Sequence, residues 1–337
     1  MITRRDWLTH TGALAAALGS ARLLAAESAT PTAAATTPAS ASAPADAPIL
    51  RAIPSSGEKL PVIGLGTNNY SPTTLEERLT RRVVLERLPR LGGRVVDTAP
   101  AYRESETVLG ELMAELGNRE RLFLATKVTA PGGSVDQGRA MIEQSFRRLQ
   151  TARIDLLQVH NLDGLDVLMP ELESLKRTGR IRYFGITTSR AAQYPAMLAA
   201  MRRYPLDFIQ VDYSLGNRAA AEAILPLARQ RRQAVLINLP FGGRRDGNLF
   251  AQVRDKALPP WAAEFGAGSW AQFFLKYVIG HPAVTAVIPG MTKLANLEDN
   301  ARAGVGALPD AAMRQRIEKF WDEEIAPSVA APAATPG

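Results

Sequence analysis

Apolar runs and helical patterns alternate along the chain from about residue 60 to residue 304. Short runs that are apolar at nearly every position predict strands buried on both faces of a parallel sheet. Such runs occupy residues 62–66, 94–97, 122–127, 154–160, 181–186, 206–211, 234–239 and 284–288. Each run is followed by a segment whose apolar residues recur with the spacing of a helix. The predicted helices include residues 73–91, 190–203, 219–231, 269–279 and 293–304.

Eight strand–helix units in about 250 residues predict a closed (β/α)8 TIM barrel, in a single domain at residues 49–325. The alternative, a doubly wound sheet, usually has fewer strands and carries a glycine-rich fingerprint after its first strand. The segment Gly64-Leu65-Gly66 lacks the third glycine of that fingerprint and the helix that should follow it. Residues 49–59 alternate around a Ser-Ser-Gly turn and predict a hairpin before the barrel.

The N-terminal residues 1–28 have a different character from the barrel. Arg4 and Arg5 are followed by Trp7, Leu8 and an Ala/Leu-rich stretch, a pattern that resembles a twin-arginine export signal. The resemblance implies transport by the twin-arginine machinery to the periplasm. The apolar stretch is short for a stable membrane span in the mature form. An amphipathic surface helix, the alternative, would show a repeated charged face, and none is present.

Two further segments are poor in core-forming residues. Residues 29–48 are almost entirely Ala, Pro, Thr and Ser, which predicts a flexible linker. Residues 326–337 have the same composition and predict a flexible tail.

The charge and the cysteine content limit the classes of function that the chain can have. The net charge is +7, but the basic residues are scattered as arginine pairs within helical patterns, which favours solvated helix faces over a nucleic-acid interface. The chain has no cysteine, so a disulfide framework, a thiolate metal site and a thiol nucleophile are excluded. We expect no metal site and no nucleic-acid partner.

Four chemically distinctive residues stand at the ends of neighbouring predicted strands. Asp97 ends the second strand and Tyr102 follows it, Lys127 ends the third strand, and His160 ends the fourth. The carboxyl ends of the strands in a parallel barrel meet at one mouth, where ligands bind. A carboxylate and a phenol held there suggest proton chemistry.

This ordered set resembles the catalytic tetrad of the aldo-keto reductases. The Asp-Thr-Ala-x-x-Tyr motif that begins at Asp97, the following Ser105-Glu106 and Gly110, and Ile-Pro-Gly at residues 288–290 also match the family. The resemblance spans about residues 60–300. It implies an EC 1.1.1-type enzyme that reduces a small-molecule aldehyde or ketone to an alcohol with a nicotinamide cofactor.

The resemblance assigns a role to each member of the tetrad. Hydride addition to a carbonyl leaves an alkoxide that needs a proton, and a free phenol such as Tyr102 is a weak acid at neutral pH. The Lys127 cation stabilises the phenolate, and Asp97 holds that cation in place. A neutral His160 donates a hydrogen bond to the carbonyl oxygen. For each of the four residues alone, a structural role is the alternative explanation. Their occurrence together, in the order of the strands, favours a catalytic role.

The resemblance also implies a set of cofactor-binding residues. Thr187 and Thr188 stand where the family places a serine and an asparagine against the nicotinamide carboxamide, and Gln210 matches a further amide contact. The glycines after strand seven and the turn before the last predicted helix suit phosphate. The predicted set is Thr67, Thr187, Thr188, Gln210, Phe241, Gly242, Pro289, Gly290, Met291, Thr292, Lys293, Asn296 and Asn300.

Departures from the family concern cofactor choice and the catalytic loop. Gly290 and Asn296 stand where many relatives place basic residues for the 2′-phosphate, with Lys293 and the Arg244-Arg245 pair as substitutes. The resemblance implies NADP(H), with NAD(H) as the alternative. Two other positions also differ. An arginine, Arg103, follows the catalytic tyrosine in place of a glycine, and no large aromatic clearly occupies the stacking position of strand seven, which leaves Asn238, Leu239 or Phe241.

Two other functions compete with carbonyl reduction. One is an exported sensor or subunit that binds the nicotinamide cofactor with little turnover. The other is a barrel glycosidase that uses Glu104 or Glu106 in a carboxylate pair. Their place at the start of a helix is better explained by the favourable interaction of acidic side chains with a helix N-terminus.

Overall fold

The structure is a computed structural model that describes residues 47–243 and 247–326. The predicted export signal, residues 29–46 of the predicted linker, and residues 327–337 of the predicted tail lie outside the described residues. Arg244 and Arg245 lie outside them as well. No helix in the described part of the chain is long and apolar enough to cross a membrane.

An antiparallel hairpin precedes the barrel, as the alternation predicts. Its strands are β1 (Leu50–Ala52) and β2 (Lys59–Pro61), with Leu50 opposite Pro61. Ile53 and Leu60 from this hairpin are fully buried in the same cluster as the aromatic residues inside the barrel. The hairpin therefore closes one end of the barrel with apolar side chains.

Eight parallel strands follow one another around the sheet in chain order. They are β3 (Leu65–Gly66), β4 (Val95–Asp97), β5 (Phe123–Val128), β6 (Ile154–His160), β7 (Ile181–Thr188), β8 (Phe208–Asp212), β9 (Ala234–Asn238) and β10 (Ala286–Val287). Parallel bridges between Ile63 and Val287 and between Gly66 and Gly290 join the last strand to the first. The predicted (β/α)8 barrel in a single domain is confirmed.

The first and last strands are shorter than predicted. Residues 62–64 make only an isolated bridge, although Gly64 donates to the Val287 carbonyl at 2.8 Å. A Cβ atom at Gly66 would meet the Ile288 carbonyl oxygen at 2.7 Å. Glycine at position 66 thus allows the close approach that joins the two strands.

Helices surround the sheet. They are α1 (Leu75–Arg87), α2 (Ser105–Leu116), α3 (Val135–Arg148), α4 (Leu165–Arg177), α5 (Tyr194–Arg203), α6 (Ala220–Gln230), α7 (Leu249–Gln252), α8 (Trp270–Ile279), α9 (Leu294–Arg302) and α10 (Ala311–Phe320). The first predicted helix ends early because Pro89 stands in the 3-10 turn that follows Arg87. Helix α10 was not predicted, since it buries only Ile317 and has little apolar periodicity.

The barrel interior is layered. Phe123, Tyr183 and Phe208 pack together at ring-centroid distances of 5.5–5.8 Å. At the carboxyl ends of the strands the interior becomes polar, with Asp97 and Lys127 buried there. The apolar layer beneath shields this polar layer from water and lowers the local dielectric constant.

Candidate active site

The tetrad residues predicted from the sequence come together at the carboxyl end of the barrel. Asp97 is the last residue of β4, Lys127 lies near the end of β5, and His160 ends β6. These three strands are neighbours in the sheet. Lys127 is 1% exposed and Asp97 is 2% exposed, so their charges face each other in the interior.

A buried ion pair is the centre of the site. Lys127 Nζ donates to Asp97 Oδ2 at 2.6 Å and to the Thr98 carbonyl at 2.8 Å. The other Asp97 oxygen accepts from Gln210 Nε2 at 2.9 Å and from Gln158 Nε2 at 3.5 Å. Both charged groups thus have several polar partners, as a buried pair requires.

The environment keeps Lys127 protonated. Burial disfavours its charge, but the Asp97 carboxylate and then the Tyr102 phenol outweigh that effect and raise the pKa of Lys127 above its ordinary value. Lys127 Nζ lies 4.9 Å from the centroid of the Tyr102 ring. A permanent cation therefore stands beside the phenol.

His160 is positioned as a neutral group. Its ring meets the Tyr102 ring edge to face, with centroids 6.2 Å apart. Burial, followed by the positive charges of Lys127 and Arg190, lowers the pKa of His160 to about 4. The imidazole is consequently uncharged at neutral pH, with one N–H available as a donor.

The loop that carries Tyr102 is fixed by a serine that the sequence analysis missed. Ser71 Oγ donates to the Tyr102 carbonyl at 3.0 Å and accepts from the Glu104 amide at 3.0 Å. Arg103 between them has φ 53°. It thus adopts the left-handed conformation that glycine, the family residue at this position, adopts most easily.

A cavity of about 240 Å³ opens beside the tetrad. It is lined by Gly66, Thr67, Asn68, Asn69, Asp97, Tyr102, Asn238, Leu239, Pro240, Phe241, Gly242, Ile288 and Gly290. Thr67 is anchored by its hydroxyl, which donates to the Asp97 carbonyl at 2.9 Å. A Cβ atom at Gly290 would project into nearly open space, 3.6 Å from Asn68 Oδ1. The backbone at Gly290 is therefore accessible to a ligand.

The phosphate end of the predicted cofactor site lies at the start of α9. Lys293 is the N-cap residue of α9, no side chain caps the helix, and its first turn has no acidic residue. The free N–H groups of such a helix end favour an anion. Lys293 and Asn296 are exposed, Thr292 is half-buried, and Asn300 is buried. The residues present thus fit a dinucleotide with phosphates at this end.

The predicted carboxamide contacts are already engaged within the protein. Thr187 Oγ1 donates to Gln210 Oε1 at 2.7 Å, while the Gln210 amide nitrogen donates to Asp97. Thr188 Oγ1 donates to Gln193 Oε1, and Gln193 Nε2 donates to the Asn161 carbonyl at 2.8 Å. These hydroxyls and amides thus tie the strand ends together.

Two of the predicted cofactor-binding residues, Met291 and Pro289, are buried. Met291 is fully buried in the hydrophobic core, so its side chain is not available to a ligand. Pro289 is also buried, and its carbonyl accepts from the Gly66 amide at 2.9 Å. Both residues set the path of the turn.

The two acidic residues of the glycosidase alternative do not form a paired site. Glu106 is fully buried and accepts from Thr126 Oγ1 at 2.7 Å, with Arg148 Nη1 3.6 Å away. Burial raises the pKa of the Glu106 carboxyl. Glu104 is exposed before the first turn of α2. Among the described residues, no group of three or more His, Asp or Glu is arranged to hold a metal ion.

Sequence comparisons point to one family. The model of the Aldo/keto reductase family matches residues 62–322. The methylglyoxal reductase YeaE of Escherichia coli (strain K12) is 29% identical over 256 residues, which cover 74% of this chain and 88% of the relative. The aldo-keto reductase YhdN of Bacillus subtilis (strain 168) is 33% identical over 203 residues, which cover 55% of this chain and 60% of the relative.

Solved structures share the fold. The holo form of an aldo-keto reductase from Bacillus halodurans has a TM-score of 0.67 at 25% identity, covering 81% of this chain and 96% of that chain. An aldo/keto reductase from Klebsiella pneumoniae, in complex with NADP and acetate, has a TM-score of 0.61 at 24% identity. Its match covers 79% of this chain and 93% of that chain.

The chain belongs to the aldo-keto reductase family, because the family model spans most of it. It is an oxidoreductase that depends on NAD(P)H and reduces an aldehyde or ketone to an alcohol. The sensor alternative is not favoured, since every tetrad residue is present and assembled.

The lowered pKa of His160 predicts an effect of acid on stability. The unfolded imidazole takes up a proton below about pH 6.5, whereas the folded one resists it down to about pH 4. The free energy of unfolding should therefore fall as pH decreases across this window. In His160→Gln the fall should be smaller by about 2 kcal/mol, after discounting for partial exposure.

Urea unfolding of wild type and variant at pH 7 and at pH 4.5 measures this difference. His281→Gln is a matched comparison, because burial and neighbouring arginines also lower the pKa of His281 to about 4. If the free energy of unfolding changes equally with pH in wild type and in His160→Gln, the imidazole is freely protonated in the folded protein.

Proposed function

We propose that Tyr102 is the general acid of carbonyl reduction, with Lys127, Asp97 and His160 in supporting roles. The observation that carries the proposal is the buried Lys127–Asp97 pair, with Nζ 2.6 Å from Oδ2 and 4.9 Å from the Tyr102 ring centroid. The nearby cation stabilises the phenolate that remains after proton transfer. His160, neutral and edge to face with Tyr102, is placed to donate to the substrate oxygen.

The reduced nicotinamide supplies a hydride to the carbonyl carbon when it is bound. The carbonyl oxygen gains negative charge as its π bond opens, and the neutral N–H of His160 stabilises that oxygen. Tyr102 Oη then gives its proton to the oxygen, so the product is a neutral alcohol. Lys127 stays charged throughout, because Asp97 and Thr98 hold its other N–H groups. Water restores the phenol proton after the product leaves.

The substitution Tyr102→Phe removes only the phenolic hydroxyl. We expect kcat to fall by roughly 10²–10⁴-fold, as for a lost general acid. The Kd of the nicotinamide cofactor should stay within about two-fold, because the ring and the loop remain. Methylglyoxal, the substrate in the name of the Escherichia coli relative, is a suitable first test carbonyl.

The measurement is steady-state NADPH oxidation, with cofactor binding followed by fluorescence in parallel. Tyr70→Phe is a control, since this tyrosine is fully buried and its hydroxyl makes no hydrogen bond with the described residues. Turnover by Tyr102→Phe close to that of wild type would remove Tyr102 from the role of acid.

We also propose that the chain prefers NADP(H) to NAD(H), by a modest factor. The Klebsiella pneumoniae structure that shares the fold contains NADP. In this chain, Lys293 is exposed at the N-cap of α9. A 2′-phosphate bound there would interact favourably both with the N-terminal end of the helix and with the lysine cation. A lysine contributes as a point charge and not as a two-pronged donor, so the preference is limited.

The expected preference for NADP(H) is roughly ten-fold, and it should fall as salt rises because an exposed charge pair is screened. Lys293→Ala should reduce the ratio of the two Kd values toward unity. Titration of both cofactors at two ionic strengths measures the ratio. Equal affinity of wild type for NAD(H) and NADP(H) at low salt would contradict the preference, as would an unchanged ratio in Lys293→Ala combined with alanine at Arg244 and Arg245.

The N-terminal sequence motivates a proposal about location: the enzyme is exported to the periplasm by the twin-arginine machinery. Its support is the Arg4-Arg5 pair, followed by Trp7, Leu8 and an apolar stretch. That machinery carries folded proteins, so the barrel can leave with its cofactor bound.

Replacing Arg4 and Arg5 by lysine should leave the protein in the cytoplasm in folded form. The charge is kept, so only recognition of the arginine pair changes. Cell fractionation with immunodetection measures the distribution, and reductase activity in the cytoplasmic fraction reports folding. Export of the double variant at the wild-type level would show that the pair is incidental.

A further inference from the structure

A second cavity lies at the end of the barrel opposite the tetrad. Its volume is about 570 Å³, within the range of sites that hold small molecules. The hairpin segment contributes Arg51 and Pro54, the turn before β9 contributes Arg232, and the turn before β10 contributes Pro282. The two turns precede their strands, whereas the tetrad stands at strand ends. The cavity shares no lining residue with the one that Tyr102 lines, so it is a separate feature.

Three arginines line this cavity, and none of the described aspartates or glutamates lines it with them. Arg51 lies in β1, Arg229 in the last turn of α6, and Arg232 two residues before β9. Within the described ranges, none of the three forms an ion pair with a carboxylate. Like charges around one cavity repel one another, and an anion placed among them replaces that repulsion with attraction.

Other arginines at this end of the barrel do have carboxylate partners. Glu58 in the hairpin lies 3.6 Å from Arg94 and also pairs with Arg182. Asp155, near the start of β6, accepts from Arg119 and from Arg182, each at 2.8 Å. The carboxylates therefore compensate the arginines beside β4 to β7, whereas the arginines beside β9 and β10 keep their full charge.

Arg51 is fixed in the cavity wall by backbone carbonyls. Its guanidinium donates to the carbonyl of Ile279, the last residue of α8, at 2.6 Å, to that of His281 at 2.9 Å, and to that of Val284. These carbonyls satisfy the N–H groups, but they carry no net charge to cancel that of the arginine. Arg51 is thus a positive charge held in one place.

The other two arginines have donors left for a ligand. Both are exposed, and each guanidinium carries five N–H donors. Arg232 Nη2 donates to the Pro54 carbonyl at 3.0 Å, which uses one of them. The Arg229 side chain makes no hydrogen bond with the described residues. A ligand can therefore bind both side chains without breaking a bond within the protein.

The positive potential of these arginines acts on a neighbouring histidine. Burial, followed by the charges of Arg314, Arg229 and Arg51, lowers the pKa of His281 to about 4. His281 directly precedes Pro282 in the cavity wall. Two of the three arginines that line the cavity thus act on the same imidazole, so their charge is not compensated locally.

We propose that this cavity binds a small phosphate-bearing ligand, with Arg229 and Arg232 as its hydrogen-bonding contacts and Arg51 as a fixed neighbouring charge. A phosphate monoester carries about −1.5 to −2 charges at pH 7 and three acceptor oxygens, which suits several arginines better than one carboxylate does. The planar guanidinium can donate two parallel bonds to such oxygens. The site is independent of the nicotinamide cofactor and of the proposed reaction.

Isothermal titration calorimetry with pyrophosphate measures binding to this site. Arg229→Gln and Arg232→Gln each remove one charge and one set of donors, so each should weaken binding roughly ten-fold, the effect of losing a charge-assisted bond. The affinity of wild type should fall as salt rises. Thermal unfolding checks that each variant folds. Arg229→Gln removes no hydrogen bond among the described residues, so its effect reports on binding.

Two control variants locate the bound anion. Arg231→Gln removes the same charge next to Arg232, but Arg231 does not line the cavity, and its Nη2 atom donates to the Arg202 carbonyl at 3.1 Å. Lys293→Ala removes the cation at the start of α9, where phosphates of the cofactor are expected. Both variants should keep the pyrophosphate Kd within about two-fold of wild type.

Several results would overturn the inference. Wild-type affinity in both Arg229→Gln and Arg232→Gln would exclude these arginines as contacts. Equal weakening by Arg231→Gln would show attraction to the overall charge, and loss of binding in Lys293→Ala would place the anion at α9. Sedimentation with phosphatidylglycerol vesicles is a further arm. If wild type binds these vesicles through the two arginines but does not bind pyrophosphate, the surface serves a lipid headgroup and not a small ligand.

Discussion

The ion pair between Lys127 and Asp97 is the constraint on which the rest of the site depends. Two charges in a nearly dry interior are costly unless each has further polar partners. Here the Thr98 carbonyl accepts a further hydrogen bond from the lysine ammonium, while the side-chain amides of Gln210 and Gln158 donate to the carboxylate. Removing one partner would leave the other charge buried alone, at a cost of about 3–5 kcal/mol. The polar layer therefore stabilises the fold only as a complete set.

The barrel scaffold explains how this layer is held. Strands β4, β5 and β6 are neighbours, so their ends bring the carboxylate, the ammonium and the imidazole together without loop rearrangement. The aromatic layer of Phe123, Tyr183 and Phe208 lies inside the same barrel and excludes water. The low dielectric constant that makes the ion pair costly also strengthens its effect on the phenol.

The sequence predicts the fold, and the placement of Asp97, Lys127 and His160 at one end of the barrel, because both rest on short-range patterns. Buried parallel strands are apolar at nearly every position, and Asp97, Lys127 and His160 each stand at the end of one. Helix α10 and the support of the catalytic loop by Ser71 were not predicted, since neither has a local signal. Arg103 replaces the family glycine, and its φ of 53° lies in the left-handed region that glycine favours. The internal bonds of Thr187 and Thr188 depend on partners far along the chain or in the next loop.

A double-mutant cycle on kcat tests most directly whether Asp97 acts on the phenol through Lys127. The variants are Asp97→Asn, Lys127→Met and the combination, each checked for folding by circular dichroism and for cofactor binding. If Asp97 serves only to hold the lysine cation, the double variant is no slower than Lys127→Met alone. If the fold-loss in kcat of the double variant instead equals the product of the fold-losses of the two single variants, the two residues act independently. That result would contradict the account.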